Sequence, residues 1–193
     1  MSHYPYQPPQ AALDDSAANP ADTADFYVVS PRKFLILMIG TLGFYQVYWF
    51  YRNWTAQNRE GQYWPIPRAI FSVLYTHALF RLIEGAQSRT RLAWSWVPMQ
   101  AANAYVIGIV GSQLCGRLAA KGMGLPLTNL LSLALLAPAV WGLYQAQCAL
   151  NAACGDPAGE RNQQITGANL GWLALGGLLW ALTLLGLALA VLA

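Results

Sequence analysis

The chain has 193 residues, 56% of them hydrophobic and only 10% charged, with a formal net charge of +3. Soluble domains carry about 25% charged residues, so the composition argues against an ordinary soluble enzyme. The small positive balance gives no case for nucleic-acid binding, which needs a dense basic surface.

Residues 1–30 read as a disordered N-terminal tail. Pro5, Pro8, Pro9 and Pro20 alternate with Asp14, Asp15, Asp22 and Asp25, a mixture that buries too little apolar surface to offset the entropy of ordering it. The tail lacks the basic start and apolar core of a cleavable signal, so the first spanning helix is expected to act as an uncleaved insertion signal. Tyr4-Pro5-Tyr6-Gln7-Pro8-Pro9 has the alternative reading of a short extended ligand for a groove on another protein.

Residues 31–193 read as a membrane domain. The first spanning helix is expected over 34–51, with Pro31, Arg32 and Lys33 ahead of it. Its eighteen residues reach about 27 Å, barely enough to cross. Its end merges into Gly43-Phe-Tyr-Gln-Val-Tyr-Trp-Phe-Tyr-Arg-Asn-Trp54, in which seven of twelve residues are aromatic. Tyr and Trp concentrate where a helix meets the headgroups, so the stretch reads as an anchoring collar. Gly40 and Gly43 weaken the helix locally or let another backbone approach.

Trp64-Pro65-Ile66-Pro67 interrupts helix. Beyond it, residues 68–86 read as an interfacial amphipathic helix, with Ile70, Phe71, Leu74, Ala78 and Leu82 at helical spacing and Arg81 and Glu84 on the polar side. A re-entrant segment or a fifth crossing is the rival reading. Spanning helices two, three and four follow over 92–114, 127–151 and 170–193, inside windows that hold no charged residue. Counting Arg and Lys on each side of this layout slightly favours a cytoplasmic first loop with both termini outside.

Three groups of residues carry the functional weighing. On the second helix Ala104, Gly108, Ser112 and Gly116 recur every four residues, with Gly111 in the adjacent row. Small residues let helix backbones pack closely in lipid, either within the chain or between copies. Gln100 and Asn103 on the second helix and Gln145 and Gln147 on the third fall at one depth in an antiparallel pair. They read as interhelical glue or as a polar pocket for a headgroup or small solute. Arg68, His77, Arg81 and Glu84 are candidate headgroup contacts, with a solvated polar face as the plain alternative. No His, Cys or carboxylate spacing fits a metal or cofactor, so none is expected. Cys115, Cys148 and Cys154 read as thiols packed as small hydrophobes.

Phe26-Tyr-Val-Val-Ser-Pro-Arg-Lys-Phe34, Tyr48-Trp-Phe-Tyr-Arg-Asn-Trp54, Trp64-Pro-Ile-Pro-Arg-Ala-Ile-Phe-Ser72 and His77-Ala-Leu-Phe-Arg81 resemble small uncharacterised bacterial membrane proteins. The aromatic ending is similar to that of the DUF4234 family. The resemblance implies a bacterial inner-membrane protein and supplies no activity and no site residues.

The sequence therefore predicts an all-α membrane protein with four spanning helices and one interfacial helix. The leading function is a non-enzymatic role exerted by helix packing, with the bilayer as partner and either self-association or another membrane protein beside it. The alternative is a small-solute or lipid-handling protein with a polar site between spanning helices two and three. A third reading is an intramembrane enzyme using His77.

Overall fold

The computed structural model describes residues 25–58, 61–90, 92 and 94–192. Among them the elements are helices: α1 (Pro31–Gly40), α2 (Tyr45–Ala56), α3 (Pro65–Ile70), α4 (Ser72–Gln87), α5 (Pro98–Ala120), α6 (Leu127–Ala134), α7 (Leu136–Ala153) and α8 (Gly167–Leu192). The all-α expectation holds. Two stretches, Leu127–Ala153 and Gly167–Leu192, are long and apolar enough to cross a membrane, where the sequence reading expected four. Residues 1–24 of the expected tail lie outside the described residues.

The expected first span is two helices. Ser30 caps α1 by accepting a hydrogen bond from the Lys33 backbone N–H at 3.3 Å, and Pro31 takes the first position, where its missing N–H is harmless. The end of α1 is a Schellman turn: Leu42 N–H donates to the Ile39 carbonyl at 3.1 Å and Gly43 N–H to the Met38 carbonyl at 2.8 Å. Leu42 at φ 49° and Gly43 at φ 83° both lie in the left-handed region, which costs a non-glycine residue about 1–2 kcal/mol. Thr41 restarts the chain, donating to the Leu37 carbonyl at 2.7 Å and accepting from Tyr45 N–H at 3.0 Å. The resulting helices have 10 and 12 residues, so neither crosses a bilayer alone.

α5 starts later than expected because Pro98 sets its first turn. It has the length to cross, but Gln100, Asn103, Ser112, Gln113 and Arg117 make it less apolar than the other two. α6 and α7 are joined at Leu135. Pro138 in the first turn of α7 offers no N–H to the Ala134 carbonyl and crowds it, which explains the break.

The expected amphipathic helix is likewise divided, at Phe71, into α3 and α4. Its packed face differs from the apolar face read in the sequence. Ser72, Thr76, Leu79, Phe80, Ile83 and Gln87 are buried, while Ile70, Phe71 and Leu74 are exposed. The inward hydroxyls have partners: Ser72 Oγ lies 2.7 Å from Tyr105 Oη, and Thr76 donates to the Ser72 carbonyl at 2.6 Å.

The core lies where α2, α4, α5 and α7 meet. Tyr45, Trp49, Phe50 and Trp54 repeat at one face of α2 and are fully buried. The aromatic stretch is therefore largely interior, a correction to its reading as a headgroup collar. α5 packs most extensively on α7, and Gly142 makes this possible, because a Cβ there would lie 2.3 Å from the Ala101 carbonyl oxygen. α8 touches the rest along one side, where Gly176 meets the Gly40 carbonyl, Trp180 Nε1 donates to the Ile39 carbonyl at 2.9 Å, Leu173 packs on the core and the Trp172 ring lies 6.5 Å from that of Tyr48. Most of α8 is bare apolar surface, including Leu178, Leu182, Leu185 and Leu189.

Candidate functional site

The polar centre of the molecule is built on an extended segment, residues 26–30, which the sequence reading had assigned to the tail. Val29 is fully buried and Phe26 and Ser30 nearly so. Non-helical backbone in a water-poor interior must find partners for its N–H and C=O groups. Carboxamide side chains supply them, because Asn and Gln carry both a donor and an acceptor. Asn53 of α2 accepts from Tyr27 N–H at 3.1 Å, and its own amide donates to the Trp49 carbonyl at 2.9 Å. Asn151 of α7 accepts from Val29 N–H at 3.4 Å and donates to the Val29 carbonyl at 2.8 Å. Asn162 donates to the Val28 carbonyl at 2.9 Å, and its own carbonyl accepts from Ser30 N–H at 3.3 Å.

Gln147 ties this cluster together. It accepts from the Trp49 indole, donates to Asn151 Oδ1 at 2.6 Å and reaches the Tyr27 carbonyl at 3.4 Å. Gly159 lets the last loop close over the segment: its φ is 68°, and a Cβ there would lie 2.5 Å from Ser30 N. Asp156 holds that loop by accepting from the N–H groups of Glu160 at 2.9 Å and Arg161 at 3.1 Å. Burial tends to raise the Asp156 pKa, but these N–H groups and the Arg161 guanidinium outweigh it and hold the carboxyl below its ordinary value.

The four expected pocket residues do not converge. Gln147 faces the chain's own segment. Gln145 faces the other way and accepts from Trp94 Nε1 at 2.9 Å. Asn103 is exposed and its Oδ1 lies 2.9 Å from His77 Nε2, while Gln100 is exposed. The polar zone between α5 and α7 is thus split into separate side-chain bonds. The same holds for the expected headgroup group. His77 pairs with Asn103 rather than Glu84, and Arg81 and Glu84 stand exposed on α4. Arg68 is enclosed: its guanidinium lies 4.4 Å from the ring centroids of both Trp54 and Tyr63 and 4.9 Å from that of Tyr75.

The small-residue face is used inside the chain. A Cβ at Gly108 would meet the Leu135 carbonyl oxygen at 2.7 Å, and one at Gly111 would meet Leu135 Cδ1 at 3.0 Å. Ser112 donates to the Ser132 carbonyl at 2.7 Å. Ala104 is half-buried on the same helix, whereas Gly116 faces open space.

No protein-family model matches the chain, and no curated protein and no solved structure matches it either. The chemistry must be read from the side chains. Among the described residues no group of three or more His, Cys, Asp or Glu is placed to hold a metal ion. Cys148 and Cys154 are buried and Cys115 half-buried. An apolar cavity of about 430 Å³ opens beside α1, between Leu35, Met38, Leu136, Val140 and Trp141 on one side and Trp180 of α8 on the other.

Sequence reasoning missed Asn53 and Asn162 as parts of the centre. Their signal is a carboxamide set against apolar or aromatic neighbours, with the extended Tyr27-Val28-Val29 as the complementary partner.

Proposed function

We propose that the protein is a non-enzymatic integral membrane protein of the bacterial inner membrane that acts by helix contact with another membrane protein or a second copy. In this reading the chain crosses several times, through the broken pair α1–α2, α5, α6–α7 and α8, while α3 and α4 lie at the headgroups. The resemblance of the 48–54 segment to the DUF4234 family belongs to the same proposal. The observation that carries it is α8: 26 residues without a charge, held along one side by Trp172, Leu173, Gly176 and Trp180 and exposed over most of the rest, including Leu178, Leu182, Leu185 and Leu189. An apolar surface of that extent is stable only against hydrocarbon or another protein.

The small-residue face of α5 is occupied by α6 and α7, which moves the available contact surface to α8. A photoreactive residue placed at Leu178 or Leu185 tests this in native membranes. The expected result is a protein adduct of fixed mass from each position. Adducts with lipid alone would defeat the contact reading while leaving the membrane location intact.

Lipid handling is the second reading, favoured by the apolar cavity beside Trp180 rather than by the Gln and Asn residues. It expects an acyl chain to copurify with the protein and to be lost when Val140→Trp fills the cavity.

A further inference from the structure

The start of α1 presents a feature that the carboxamide centre does not explain. Lys33 is only 3% exposed. Its ammonium donates to Asn162 Oδ1 and to the Gln164 carbonyl, both at 2.7 Å. Both acceptors are neutral, and an ammonium has three N–H donors. Among the described residues the third has no hydrogen-bond partner, and no carboxylate forms an ion pair with the group. Asp156 is committed to Arg161. A buried cation without a counter-charge is costly, by several kcal/mol in general.

Lys33 also lines a hollow of about 570 Å³, together with Ser30, Arg32, Ile36, Gln163 and Ile165. Among the described residues no acidic one lines this hollow. Arg32 is exposed beside it, and the Arg32 backbone N–H stands at the second position of α1, where no intrahelical acceptor exists. Two cations, a free backbone donor and the positive end of a helix dipole meet at one place. Apolar Ile36 and Ile165 form another part of the wall.

We propose that this hollow is an anion site that takes a phosphate ester, with Lys33 and Arg32 as its charged walls and the start of α1 as its dipole. An incoming phosphate oxygen fills the unused Lys33 donor, and Arg32 offers a bidentate fork to a second oxygen. The phosphate belongs either to an anionic phospholipid headgroup or to a free phosphate compound. Neither source requires α8 to have a partner.

The test uses the full chain purified in a neutral detergent, with thermal unfolding followed by tryptophan fluorescence. Phosphatidylglycerol and inorganic phosphate are titrated separately, each against sodium chloride at matched ionic strength. The parent, Arg32→Gln and Lys33→Met are compared. A rise in midpoint with phosphatidylglycerol, with half-saturation about tenfold weaker in Arg32→Gln, assigns the site to a lipid headgroup. The same pattern with inorganic phosphate alone assigns it to a free phosphate. Midpoints that rise no further than with chloride, or that rise equally in parent and Arg32→Gln, overturn the proposal. Because Arg32 is exposed, its variant keeps the test decisive even if Lys33→Met fails to fold.

Discussion

Asn151 holds Val29 by both of its backbone polar groups, accepting from the N–H at 3.4 Å and donating to the carbonyl at 2.8 Å. The side chain does what a neighbouring strand would do, at one residue, inside a helical core. Asn151→Leu matches the volume but leaves both Val29 groups and the Gln147 amide short of partners. Each unsatisfied buried group costs about 1–3 kcal/mol, so the variant is expected to lose about 3 kcal/mol or more. Asn151→Asp is expected to fare no better, since it keeps the acceptor, loses the donor and buries a charge. Unfolding midpoints in detergent check this, with the exposed Gln113→Leu as the control. Equal midpoints would show that residues 26–30 contribute nothing to the fold.

Close helix packing predicts opposite signs for two substitutions of the same type. A Cβ at Gly142 would lie 2.3 Å from the Ala101 carbonyl oxygen, whereas one at Gly116 meets nothing within 4 Å. Gly142→Ala must push α5 off α7 and is expected to cost about 1–3 kcal/mol. Gly116→Ala gains helix propensity without a clash and is expected to stabilise by up to about 1 kcal/mol. Gly108→Ala should follow Gly142, since Leu135 O would lie 2.7 Å from its Cβ. Unfolding of the three variants side by side gives the answer. A Gly116→Ala variant that loses stability would place another surface against that position.

How far the sequence spoke for the fold depended on whether the governing interaction was local. Helix content is short-range and was legible, whereas the start signals at Ser30 and Pro98, equally local, are passed over when Ser30 is placed in the tail and the second span is begun at 92. The close approach of α5 to α7 was visible in the small residues 104–116, although their partner, Gly142, was not singled out. The break at Thr41–Phe44 was partly legible: Gly43 reads as a local weakening, but Leu42 gives no sign of its left-handed backbone. The polar centre was half legible. Gln147 drew attention as an amide in an apolar helix, but the backbone segment that it and Asn151 serve lies more than 100 residues away in sequence. For Arg68 the sequence shows the charge but not the rings of Trp54, Tyr63 and Tyr75 beside its guanidinium.

Asp156 makes the last loop sensitive to acid. Its folded pKa lies below the ordinary value of 3.8, so the stability it confers is present above that value and is lost as pH falls through the lower folded one. Capping bonds of this kind contribute about 1 kcal/mol, and Arg161 is too exposed to add much. The midpoint difference between the parent and Asp156→Asn is therefore expected to be measurable at pH 7 and to close at pH values well below 3.8. A difference that stays constant across that range would mean that the carboxylate charge does not hold the loop.

The attachment of α8, made by Trp172, Leu173 and Trp180 as well, includes a backbone contact between Gly176 and Gly40. A Cβ at Gly176 would lie 2.0 Å from the Gly40 carbonyl oxygen and 2.8 Å from Thr41 Cα, both backbone atoms that cannot rotate away. Gly176→Leu is expected to separate α8 from α1 and to break the Trp180–Ile39 hydrogen bond. The core should survive, because α8 buries only Asn169 and Gly176. Spin labels at Ile36 and Leu178, in a background with the native cysteines replaced, report the separation directly. A single narrow distance in the parent should become broad in Gly176→Leu, while the unfolding midpoint moves by less than about 1 kcal/mol equivalent. If the distance stays narrow, contacts beyond the glycine seam hold α8, and its outer face is less available to a partner than its exposure indicates.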